Sequence, residues 1–454
     1  MTVFRRAALA FSPMALLFAG TAAIAQDASR MDEVVSASAA EKTYMGAALV
    51  AIGDDVLLDK AYGSADLEWG IANTSDTKFR IGSVTKQFTA ASILLLQERG
   101  QLDIDRPVRT YLADSPASWN AITLRHLLQH TSGIPNLTDF DDFGTWKYLP
   151  TTRAALIARF SDKKLDFAPG EKWSYSNSGY LLLSAIIEEV TGKPYGDFVE
   201  ENIFAPLGMT DTGMDVTSAI IPRRAEGYAP SKDGIVNADY VDMGIPQGAG
   251  ALYSTTGDLL KWQRGLFGGK ILTKESLAAM TAPGVDAMQA STYALGLIRT
   301  DNEEGTLIWH GGGIEGFNAW LGHDPDRAIS VVVLSNLNGG AANALGQSLV
   351  KLARGGDVKL TAERAAIDLP ADRLAEYAGT YAVSDQFKIA FRVEDGALLA
   401  QATGQDAFRV FAEGEDRFFL KVVDAQIVFN RDSSGAIESL TLNQNGNETR
   451  ALRE

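Results

Sequence analysis

The chain has 454 residues, too many for one small domain, and at 46% hydrophobic it can bury a large core. It carries no cysteine and a formal charge of −16. This excludes disulfides and thiolate metal sites and disfavours nucleic acid and anionic membranes as partners, leaving a small-molecule or peptide substrate open.

The N-terminus reads as a secretory signal over residues 1–25. Arg5 and Arg6 supply the positive start, Ala7 to Ala19 the apolar stretch, and Ala23-Ile24-Ala25 a small-residue cleavage site before Gln26. That stretch carries Pro13 and is too short and alanine-rich for a stable membrane anchor. The paired arginines permit a twin-arginine route. Removing them, with no acid in the segment, takes the charge from −16 to −18. The expected location is the bacterial periplasm or the medium.

Ala47 to Ile52 and Val56 to Ala61 form an expected β-hairpin around Gly53-Asp54-Asp55. Next comes Ser83-Val84-Thr85-Lys86. Serine and lysine three apart lie one helical turn from each other, so an amine can take a hydroxyl proton at a helix N-terminus, where free N–H groups stabilise an anion. The same spacing also occurs at Ser75/Lys78, Ser161/Lys164 and Ser348/Lys351. The first two sit in polar, loop-like stretches and the third inside an amphipathic segment. Only Ser83 opens a helix, with Val84, Phe88, Ala91 and Leu95 in near-helical register and Gly100 as its stop. A helix cap explains Ser83 equally well from position alone.

From Ser83 to about Leu266 the pattern is mainly helical, broken by Gly/Pro loops. His126 and His130, four apart, have a chelating spacing, but the residues between them lack the glutamate of a zinc protease and no third ligand stands out. We expect them to satisfy backbone groups, and no metal is assigned. Tyr175-Ser176-Asn177 follows a Pro-Gly turn; a tyrosine can relay a proton and an asparagine can bind an amide through both its groups. An ordinary polar turn accounts for the same residues.

Strands are expected at Tyr293 to Arg299, Thr306 to His310, Phe317 to Leu321 and Ile329 to Leu334, followed by a helix from Gly340 to Arg354. His310-Gly311-Gly312-Gly313 is read as the end of a strand, where glycines admit a substrate and aim an N–H at an oxyanion. Gly311, Gly313 and Gly316 also spell a dinucleotide fingerprint, but a strand rather than a helix follows and no acid stands twenty residues on. No nucleotide or other cofactor is assigned. Strands from both ends around a helical middle indicate one sheet with an inserted helical subdomain (residues 26–356). A linker (357–370) leads to a period-two region (371–454), including Phe387 to Val393, Phe418 to Val423 and Ile437 to Leu442, that reads as a small antiparallel barrel.

Ser-x-x-Lys, Tyr-x-Asn and a Gly-rich strand, in that order, resemble the serine β-lactamase and penicillin-binding protein superfamily. Phe79 to Lys86, Leu127 to Pro135, Gly248-Ala249-Gly250-Ala251-Leu252 and Trp309 to Gly312 look like signatures of its class C-like group. The resemblance implies a mixed α/β catalytic domain with an antiparallel sheet and a helical subdomain. It implies Ser83 as nucleophile, Lys86 or Tyr175 as base, Tyr175 as proton donor to the leaving group and Asn177 as substrate ligand. The oxyanion site would be the N–H groups of Ser83 and Gly313, beside His310, Gly311 and Gly312. Most β-lactamases and DD-peptidases carry Lys-Thr-Gly where this chain has His310-Gly311-Gly312, which removes a fixed cation and a hydroxyl. The implied activity is hydrolysis of an amide, peptide or ester; the alternatives are class C-like β-lactam hydrolysis and a penicillin or cell-wall-peptide binder without turnover. The C-terminal barrel resembles the lipocalin-like domains appended to some members, which would shape or cover the site.

Overall fold

Strand Gly46–Ile52 is buried along nearly its whole length, and its alternation sends its side chains into two different cores. Ala47, Leu49 and Ala51 join the larger core, whereas Ala48 and Val50 join the one beneath helices Leu16–Ala40 and Ala341–Ala353. A strand covered on both faces needs apolar residues at successive positions, which this one has. It pairs in register with Ile329–Ser335 on one side and Asp55–Tyr62 on the other. The result is an eight-stranded antiparallel sheet. Its order is Val285–Met288, Ser291–Tyr293, Ile298–Asn302, Gly305–Ile314, Phe317–Asp324, Ile329–Ser335, Gly46–Ile52 and Asp55–Tyr62. Segments distant in sequence thus pair within one sheet, Gly46–Ile52 beside Ile329–Ser335 and one strand from the edge, and the helical middle packs on the larger core. This is the mixed α/β arrangement expected from the sequence.

This computed structural model describes residues 16–288, 291–405, 407–420, 425–444 and 447–454. The basic start of the expected export signal, with Arg5 and Arg6, lies outside the described residues. Among them no helix is long and apolar enough to cross a membrane.

Two expectations change. The strand expected over Tyr293 to Arg299 is two strands, because Gly296, at φ +74°, lets the chain turn between Tyr293 and Ile298. His310 to Gly313 does not end a strand but lies within Gly305–Ile314, paired through Gly313↔Asn318.

Beyond the linker, eight strands from Gly379–Ala382 to Asn447–Arg453 close into an antiparallel barrel through Tyr381↔Arg453. Its interior is filled by rings: Tyr381, Phe391, Phe418 and Phe429 pack together, with Tyr377 of helix Ala371–Tyr377 against two of them. The linker is tied to the barrel through the Ile367↔Ala412 bridge and the Arg364–Glu413 ion pair at 2.6 Å, and to helix Leu16–Ala40 through the Arg30–Glu363 ion pair.

Candidate active site

The short strand Phe79–Arg80 delivers the chain to Ser83. It pairs with Leu252–Ser254, and Arg80 is fixed to the fully buried Asp215 at 2.7 Å. Ser83 then sits in a single 3-10 turn, Gly82–Val84, and the α-helix begins at Thr85 and runs to Glu98. The expected helix start is therefore one tight turn ahead of the helix proper. Gly82 takes φ +49°, and a Cβ there would lie 2.7 Å from Gly313 N. A Cβ on Gly312 would lie 2.0 Å from Ile81 O and 3.2 Å from Ser83 N. Only glycines allow the nucleophile turn and the strand to touch. That contact sets the amides of Ser83 and Gly313 side by side, as an oxyanion site requires.

Lys86 is wholly buried. Its Nζ lies 3.1 Å from Ser83 Oγ and donates to Asn177 Oδ1 and Ala249 O, both at 2.8 Å. Those two carbonyl oxygens can only accept. They use two N–H bonds, so the remaining position, a lone pair in the neutral amine, faces the serine. Burial holds the amine well below its ordinary value of 10.5. The Tyr175 ring lies 4.8 Å from Lys86 Nζ, and its hydroxyl reaches Ser83. Burial raises Tyr175 above 10.0, which keeps it a protonated donor.

Asn177 opens helix Asn177–Thr191. Its backbone N–H donates to Asn136 Oδ1 at 2.9 Å and its Nδ2 to Thr138 Oγ1 at 3.2 Å, so its carbonyl is held toward Lys86. His126 and His130 do satisfy backbone groups. His126 Nδ1 accepts from Thr123 N–H at 3.2 Å and His130 Nδ1 from Ser176 N–H at 3.1 Å. The His130 ring packs 4.2 Å from that of Tyr175. His310 is also buried. Its Nδ1 sits 2.5 Å from the Gly311 carbonyl, which can only accept, so Nε2 is left to accept from Tyr293 Oη at 2.9 Å. Burial and the neighbouring Lys86 lower His310 to about 3, so it is a neutral imidazole here.

Ser83, Asn177 and Gly313 line a cleft of about 220 Å³ whose apolar walls include Leu137, Phe143, Leu181 and Ile245, while Lys86, Tyr175 and His310 stand outside its lining. The structure thus brings together all eight expected residues. The sequence singles out the run Gly248 to Leu252 but not the Ala249 carbonyl within it, and no pattern signals Thr138.

A serine, a buried amine, a protonated tyrosine and paired amides can carry out acyl transfer. The beta-lactamase family profile matches residues 31–353. This chain belongs to the beta-lactamase family. It is a serine hydrolase of that fold, related to penicillin-binding proteins and to amidohydrolases. Residues 363–452 match a domain of unknown function, DUF3471. Penicillin-binding protein 4* of Bacillus subtilis (strain 168) is 28% identical over 440 residues, covering 90% of this chain and 95% of the relative. The octameric penicillin-binding protein homologue of Pyrococcus abyssi superposes with TM-score 0.67 at 26% identity, covering 94% of this chain and 99% of that one. A D-stereospecific amidohydrolase from Streptomyces sp. gives TM-score 0.62 at 29% identity, covering 73% and 97%.

Proposed function

We propose that this beta-lactamase-family protein is an exported hydrolase that cleaves an amide or peptide bond through an acyl-enzyme on Ser83. The observation that carries this reading is the Lys86 amine, with two N–H bonds spent on carbonyls and its third position 3.1 Å from Ser83 Oγ. Ser83 Oγ attacks the substrate carbonyl as its proton passes to Lys86, and the amides of Ser83 and Gly313 hold the oxyanion. The C–N bond breaks as Tyr175 protonates the leaving amine, and Tyr175 recovers its proton through Lys86. Water then attacks the ester in the same geometry, the proton returns to Ser83 and the acid leaves. Asn177 orients the substrate, and Gly311 and Gly312 let it approach the strand.

The neutral His310 supports amides over β-lactams and terminal D-Ala-D-Ala peptides, because it offers no fixed cation for a substrate carboxylate. Kinship with a D-stereospecific amidohydrolase supports the same choice. The signal at residues 1–25 supports export. The test is hydrolysis of D- and L-amino-acid amides, p-nitrophenyl esters and benzylpenicillin by the mature protein, beside Ser83→Ala. We expect amide turnover that is lost in Ser83→Ala; stoichiometric penicillin labelling with no turnover of any amide or ester would favour a binder instead.

A further inference from the structure

Among the described residues lining the cleft, Glu315 is the one ionisable side chain. It follows directly on strand Gly305–Ile314 and so stands two residues beyond Gly313, the candidate oxyanion donor. Its Oε1 accepts from Lys147 Nζ at 3.0 Å, and Lys147 also meets Asp239 Oδ2 at 3.3 Å. Lys147 is thus shared between Glu315 and the exposed Asp239, and its ammonium does not belong to Glu315 alone. No hydrogen bond within the described residues engages Glu315 Oε2, and the side chain keeps 22% of its surface accessible. No lysine or arginine lines the cleft. Lys86 lies behind Ser83 with its N–H bonds already used. Leu137, Phe143, Leu181 and Ile245 supply an apolar wall.

We infer that Glu315 anchors the free α-ammonium of the substrate, so the cleft takes amides and esters of amino acids with an unblocked amine and an apolar side chain. This rests on the acyl-enzyme reading above. An α-ammonium is two bonds from the carbonyl carbon, so a substrate held by the oxyanion amides can turn it toward Glu315, which lines the same cleft as Ser83 and Gly313. Acylating the amine removes both its charge and a donor, and the Glu315 carboxylate is then left without a partner for Oε2. Losing a charged hydrogen bond of this kind costs about 10- to 100-fold in kcat/KM.

The test compares phenylalanine amide with its N-acetyl derivative, and the two corresponding methyl esters, each as D and L forms, with Ser83→Ala as blank. The wild-type protein should prefer the free amine by about 10- to 100-fold. Glu315→Gln should bring the two toward parity by slowing the free-amine substrate, and Glu315→Asp should restore part of the preference. A ratio unchanged in Glu315→Gln, or a wild-type preference for the acetylated compounds, overturns the inference. If esters alone are cleaved, the amide reading fails while the ester ratio still decides the role of Glu315. If neither pair is cleaved, both readings fall.

Discussion

Lys86 is useful as a base because the fold denies it water. A free lysine titrates near about 10.4 and is protonated at neutral pH; burial disfavours that charge and moves Lys86 well below it. Since the neutral amine accepts the serine proton, kcat/KM on an amide should rise with pH as Lys86 deprotonates and reach its plateau below 10.5. A limb at the ordinary lysine value would contradict this. His310 makes a prediction about stability. Its pKa falls from 6.5 to about 3 on folding, so between those values the unfolded chain binds the extra proton. Stability is therefore fully present above 6.5 and falls with pH through that window, by up to about 1.4 kcal/mol per pH unit for one buried group. Urea unfolding between pH 4 and 6.5 should show a shallower slope in His310→Asn. Because this imidazole is neutral, His310→Lys should also raise the rate of Ser83 acylation by benzylpenicillin, read by labelling with a fluorescent penicillin.

The catalytic geometry is set where the turn Gly82–Val84 meets strand Gly305–Ile314. A Cβ on Gly312 would come within 2.0 Å of Ile81 O, so Gly312→Ala must push these two elements apart. The expected outcome is a loss of about 100-fold or more in kcat, the scale of losing an oxyanion donor, with destabilisation of about 1–3 kcal/mol by chemical unfolding. Retained activity would mean that the oxyanion site lies elsewhere. This contact also marks what the sequence could and could not disclose. Ser83, Lys86, Tyr175 and Asn177 stand at local spacings that a helix cap and a polar turn also explain, and only the order of the motifs along the chain, through the family resemblance, singles them out. The sequence shows the strand before His310 but not its continuation through Gly313, since a run of glycines reads as a break until a partner strand holds it extended. Gly296 was absorbed into one strand because a single glycine gives no warning that the chain will turn there. The Ala249 carbonyl and Glu315 act through tertiary position alone, the first through its backbone and the second as an ordinary surface residue type.

At the scale of the whole molecule, the two cores flanking the sheet are separate from the core of the barrel. Among the described residues, those lining the cleft, from Ser83 to Glu315, all belong to the sheet domain. Deleting residues 357–454 should leave amide turnover within a few-fold of the full chain, and a loss of acylation would show that the barrel supports the site. The proposed chemistry attaches the substrate covalently to the turn that carries Ser83. The most direct measurement is peptide mapping by mass spectrometry after rapid acid quench with a slowly deacylating amino-acid ester. The account predicts one acyl group per chain, on the peptide containing Ser83, and none in Ser83→Ala. An adduct on another residue, or turnover that survives Ser83→Ala, would contradict it.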